Sequence, residues 1–217
     1  MNLPAPLPAE EQAHCRRTAA LSELLAKLAN FPDSEVRTVT QSAFVHDIGK
    51  TAIPVSILCK PGPLTEEERT LMRMHTKVGA RILIHTHETM RTASVVALQH
   101  HERLDGSGYL GLCGDEIHPH AKLVAVADVF DALLSPRAYK RPWSIRRTCG
   151  YLSDLAGVQL DAKLVRLLLE NLPQALALYH EETRIRSEIR IPDDYAHRGR
   201  RASGLCCCRR NSTLSIG

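Results

Sequence analysis

Residues 123–134 read LVAVADVFDALL. The run lies in a segment, 120–135, whose pattern predicts a helix, and its flanks are almost wholly apolar. Yet Asp128 sits in the middle of it. A carboxylate carried into a core needs a strong partner, because an unpaired buried charge is costly. The rest of the chain must supply that partner.

The chain has 217 residues, which suits one domain, or one domain plus a tail. Aromatic residues make up only 4%, so the core must be mostly Leu, Val, Ile and Ala, which favours helical packing over a sandwich. The net charge of +4, from 28 basic and 24 acidic residues, is mild. It suits an anionic ligand without calling for a DNA or RNA polymer. The seven cysteines, Cys15, Cys59, Cys113, Cys149, Cys206, Cys207 and Cys208, form no CxxC pair. The start, MNLPAPLPAEE, carries no signal-peptide pattern, so these read as reduced thiols of a cytoplasmic chain. No window approaches the ~18 apolar residues needed to span a bilayer.

Working outward from 123–134, helical spacing recurs along the chain and strand alternation persists nowhere. The pattern predicts a long helix over 9–29 and a second over 34–48 with Ser34 as its cap, ended by Gly49. Thr65 and Glu68 form a capping box for a helix to about His75, and KVGARILIH reads as a separate short helix. Further helices are predicted over 88–103, 120–135 and the segments SIRRTCGYLSDLAG, DAKLVRLLLENL and QALALYHEE. The fold class is therefore all-α, a helical bundle with a glycine-rich loop, LDGSGYLGLCGDEIHP, over 104–119. The bundle domain is placed at 8–183, and the basic, small-residue-rich stretch 184–217 reads as a disordered tail.

The stretch AFVHDIGK, 43–50, poses the same problem as Asp128: an apolar run ending in His46 and Asp47, then Lys50. Other polar groups fall on or at the ends of apolar helices: Glu10, His14, His75, His100 and His101. Each alone has an ordinary structural explanation. Together with Asp128 they form a set of imidazoles and carboxylates from different helices, and metal ions are the partner such a set suits. Without a thiolate pair it is not a structural zinc site, and its N and O donors suit Fe, Mn, Co or Ni.

HDIGK (46–50), HHERLDGSGY (100–109) and VAVADVFDALLSPRAYK (124–140) resemble an HD-GYP domain, a subgroup of the HD phosphohydrolase superfamily. The resemblance covers roughly 8–172. It implies an all-helical bundle that hydrolyses the bacterial second messenger cyclic di-GMP, to pGpG or GMP, at two or three metal ions. It implies His14, His46, Asp47, His75, His100, His101 and Asp128 as ligands, with Asp47 bridging two metals. Glu10 matches the acidic residue that some members use for a third metal, with Glu11 as its rival. Lys50 is expected to act in catalysis by reaching a phosphate oxygen, and Arg137 and Lys140 to clamp the substrate's phosphates.

The sequence departs from the pattern at Leu110, where the signature has proline, and at Pro136 and Ala138. Leucine should leave the loop freer than proline. The loop from Gly106 to Leu110 is accordingly a candidate contact for a protein partner, such as a diguanylate cyclase. Two other readings stay open: a catalytically weak signalling module that binds nucleotide or protein, and an HD hydrolase of another cyclic dinucleotide. The tail generates its own prediction. Residues 190–217 show no apolar periodicity and cannot offset their ordering entropy. Their deletion should leave phosphodiesterase activity unchanged in a kinetic assay, whereas loss of folded protein would show that the tail packs on the bundle.

Overall fold

The computed structural model describes residues 7–86, 90–135 and 141–179. Its helices are α1 (Ala9–Leu28), α2 (Asp33–Val45), α3 (Val55–Leu58), α4 (Glu66–Thr86), α5 (Arg91–Gln99), α6 (Pro119–Leu134), α7 (Ile145–Leu155) and α8 (Ala162–Glu170). A further helical stretch runs over 172–179. Short 3-10 turns occupy Ile48–Ala52 and Gly114–Glu116. Among the described residues there is no strand, only an isolated bridge between Ala156 and Leu160, so the fold is all-α. One compact unit ends at Tyr179. Arg137, Lys140 and the tail 184–217 lie outside the described residues.

Helix α6 is the centre of the bundle. Pro119 at its first position has the φ a helix start requires and no N–H to leave unpaired. Leu123, Val124, Val126, Ala127 and Phe130 are all fully buried, so the helix is apolar on every side and must be surrounded. α1, α2, α7 and α8 pack against it, and the core they share includes Leu21, Leu25, Val39, Leu152 and Leu168. Burying each such leucine contributes about 1.5–3 kcal/mol. Asp128 and Asp131 are carried into that core by the same helix.

Several helix ends differ from the sequence expectation, and two are informative. α2 starts at Asp33 directly after Pro32, so Ser34 is inside the first turn and caps nothing. The capping box at Thr65 forms: its N–H donates to Glu68 Oε2 at 2.8 Å, and the Glu68 N–H donates to Thr65 Oγ1 at 3.3 Å. But α4 then continues unbroken past His75 to Thr86, where two helices were expected. Gly79, within this helix, is a point of close contact. A Cβ on Gly79 would sit 3.2 Å from the Gly49 nitrogen.

That contact positions the site. The 3-10 turn carrying Gly49 lies backbone-to-backbone on α4, and a Cβ on Gly49 would stand 1.9 Å from the His75 carbonyl oxygen. Only two glycines allow this approach, and it brings Asp47 to His75. Gly49→Ala should therefore destabilise the protein by about 1–3 kcal/mol or more, through overpacking. Gly150, in α7, where an added Cβ would meet open space, is the contrasting case. Gly150→Ala should stabilise by up to about 1 kcal/mol, from helix propensity alone. Urea unfolding of both variants checks the pair.

Candidate metal centre

Five helices and one turn deliver the polar set. His14 comes from α1, His75 from the middle of α4 and Asp128 from α6. His46 follows the last residue of α2, with Asp47 next to it ahead of the 3-10 turn. His100 and His101 follow α5. Their ligand atoms gather in two groups, Asp47 with His75, His100 and His101, and His14 with His46 and Asp128, each within 4.8 Å. All but the partly exposed His101 are buried.

Asp47 stands between the groups. Its Oδ1 lies 3.2 Å from His75 Nε2 and 3.6 Å from His100 Nε2. Its Oδ2 lies 3.3 Å from His46 Nε2 and 3.7 Å from His14 Nε2. One carboxylate oxygen thus faces each group.

The imidazoles are oriented from behind. The Nδ1–H of His46 donates to the Ala43 carbonyl at 2.6 Å, and that of His75 to the Met72 carbonyl at 2.6 Å. His100 Nδ1–H donates to the Ala97 carbonyl at 3.0 Å. A carbonyl oxygen can only accept, so in the neutral ring the proton is on Nδ1 and Nε2 is a bare lone pair. These lone pairs converge. His75 Nε2 and His100 Nε2 are 3.4 Å apart, two acceptors with no hydrogen to share. His14 Nε2, His46 Nε2 and Asp47 Oδ1 are buried with no hydrogen-bond partner. Such orphans are rare in a folded protein. A cation in each group would satisfy them, and the donor set of imidazole and carboxylate fits divalent transition ions.

The electrostatics agree. Burial would raise the Asp47 carboxyl, but the Lys50 ammonium beside it holds it well below the usual carboxylate range. Asp128 is held down likewise against its burial, chiefly by His14. Burial lowers His100, and burial with the neighbouring His100 pushes His101 well below the ordinary histidine value, which keeps both rings unprotonated. Burial would also lower His14, but Asp128 and Asp131 raise it to about 9. A proton held there is one that a bound cation would displace.

Lys50 is buried, its Nζ 2.7 Å from Asp47 Oδ2 and 2.7 Å from Glu11 Oε2. Two of its three N–H donors are thereby engaged. Glu10 is exposed and belongs to neither group, so the structure does not bring it to the cluster. Positions three and four before His14 both share its face; Glu11, three before, is the one that meets the buried lysine.

Two residues central to the site escaped the sequence reading. Asp131, fully buried, accepts from His14 Nδ1 at 2.6 Å, Arg17 Nε at 2.6 Å and the Tyr179 hydroxyl at 2.9 Å. Its signal was its place three residues after Asp128 in the same apolar run. Glu102, also buried, accepts the backbone N–H groups of Leu110 at 2.8 Å and Leu112 at 3.0 Å. Gly108 lies against it so closely that a Cβ would come 2.5 Å from the Glu102 Cα. The expectation of a freer loop at Leu110 is thus corrected: leucine supplies an N–H that proline lacks, and the loop is tied down by it.

Fold and site together define a helical bundle around a buried cluster of imidazoles and carboxylates, and comparison with known proteins names the family. The model of the HD domain family matches residues 4–164, and the chain belongs to that family. The cyclic di-GMP phosphodiesterase response regulator RpfG of Xanthomonas campestris is 42% identical over 164 residues, 75% of this chain and 43% of its own length. The 3'3'-cGAMP-specific phosphodiesterase 2 of Vibrio cholerae is 40% identical over 171 residues, 78% of this chain and 33% of its own. The chain therefore spans less than half the length of these relatives. Among solved structures, the HDG"Y"P protein Bd1817 of Bdellovibrio bacteriovorus aligns with a TM-score of 0.61 at 22% identity, over 75% of this chain and 52% of that one. The HD-GYP resemblance read from the motifs stands. Among the described residues, no helix is long and apolar enough to cross a membrane.

The Asp131 contact generates a prediction. A carboxylate behind a ligating histidine fixes its tautomer and raises its basicity, and losing it typically costs 10–100-fold in metal affinity. Asp131→Asn should weaken metal binding by about that factor in a chelator competition.

Proposed function

We propose that this chain is a metal-dependent phosphodiesterase that hydrolyses cyclic di-GMP to pGpG, GMP or both. The observation that carries the reading is the Asp47 carboxylate, set between two groups of imidazoles whose bare Nε2 atoms converge on it. His14, His46, Asp47, His75, His100, His101 and Asp128 would hold two ions, with Asp47 shared; iron and manganese suit these donors best. Such ions supply a nucleophile at neutral pH and countercharge for the phosphoryl oxygens.

The protein's own groups do the rest. The Nδ1 hydrogen bonds hold the rings in place before any substrate arrives, which removes a reorganisation cost. Lys50, fixed by Asp47 and Glu11, has one N–H left to donate to a phosphate oxygen. Its ammonium is held protonated: burial would lower it, but the two carboxylates raise it above the ordinary lysine value. Arg137 and Lys140 are proposed to grip the phosphates from beyond α6. Glu102 shapes the glycine-rich loop beside the ligands and takes no part in proton transfer.

A second substrate, 3'3'-cGAMP, is favoured by one observation: a relative at 40% identity is named as specific for it. The two share one phosphodiester chemistry and differ in a base. The test is hydrolysis of each with Mn(II) or Fe(II) added, alongside elemental analysis. His46→Ala or Asp47→Ala should lose metal and reduce kcat/KM by more than the ~100-fold typical of an outer-shell change. Unchanged metal content and turnover in either variant would contradict the assignment.

A further inference from the structure

Tyr109 forms one wall of the metal centre. Its ring centroid lies 4.8 Å from that of His101 and 6.5 Å from that of His75. Arg73, two residues before His75 on α4, places its guanidinium carbon 5.3 Å from the Tyr109 centroid. Imidazole, phenol and guanidinium make a short series that leads from the buried cluster to the surface, where Arg73 and Tyr109 are both exposed. Among the described residues Arg73 has no ion pair; its side chain is held by the ring alone.

A guanidinium lying over an aromatic ring uses its face and keeps its N–H edges free. Those edges match a phosphodiester, with two N–H groups for two oxygens. A cyclic dinucleotide carries two phosphodiesters. Among the described residues, the ligand cluster and Lys50 account for only one of them; the other carries its charge one nucleotide away. We propose that Arg73, braced on Tyr109, binds the phosphodiester that is not being cleaved, and so selects cyclic dinucleotides over substrates with a single phosphodiester. This rests on the phosphodiesterase reading above and adds a residue that no motif of the sequence singled out.

The test compares two substrates on the metal-loaded full chain: cyclic di-GMP, and bis(p-nitrophenyl) phosphate, which has one phosphodiester. Losing a hydrogen bond to a charged group costs about ten-fold or more in binding. Arg73→Ala should therefore raise KM for cyclic di-GMP by about that factor with a far smaller change in kcat. The ratio of kcat/KM between the two substrates should fall accordingly, and Arg73→Lys should restore part of it. Lys77→Ala, an exposed cation one turn further along α4, is the control and should leave the ratio unchanged. Equal losses on both substrates, or no loss on cyclic di-GMP, would overturn the inference. If the parent binds cyclic di-GMP without cleaving it, the phosphodiesterase reading fails by itself. The Arg73 inference is then decided by calorimetry, supported by a ten-fold weaker Kd in Arg73→Ala and overturned by an unchanged one.

Discussion

The bundle is built around a carboxylate that cannot stand alone. Asp47 is buried, kept charged, and faced by imidazole nitrogens that have no hydrogen to offer it. Lys50 neutralises one charge, but the two oxygens still look into two groups of lone pairs. In a low-dielectric interior such an arrangement is costly unless cations complete it. Each main feature of the fold serves that arrangement. The Gly49–Gly79 contact sets Asp47 against α4, and α6 carries Asp128 through the core to the opposite side. Backbone carbonyls and Asp131 turn the rings inward.

The same features separate stability from function. The apolar residues of α6 would pack as well around leucine as around Asp128, and a leucine there would avoid a desolvation cost. Keeping the charge makes sense only where a ligand uses it. The orphaned Nε2 atoms of His14 and His46 make the same argument from the other side of the cluster. These are local violations of good packing concentrated at one place, which is where function is expected.

Much of this was legible in the sequence, for a physical reason. His75, Asp128 and the His46–Asp47 pair interrupt apolar helical patterns, so their burial and their need for partners could be read from neighbours alone. What escaped depends on distances that no pattern encodes. Glu10 and Glu11 both share the His14 face, and the choice was made by where Lys50 arrives from another element. A break was read after His75, yet the helix runs on, and the contact that Gly79 makes with Gly49 is tertiary. Leu110 read as a loss of stiffness because its role is played by a backbone N–H, which every residue but proline has. Asp131 was overshadowed by Asp128, and only the fold shows that one faces the cluster while the other supports His14 from behind.

The central claim is that Asp47 is shared between two cations. Anomalous diffraction from crystals grown with Mn(II) tests it most directly. The account predicts two peaks, one on the side of His75, His100 and His101 and one on the side of His14, His46 and Asp128, with the Asp47 carboxylate between them. An empty cluster at saturating Mn(II), or a single ion bound away from Asp47, would contradict it.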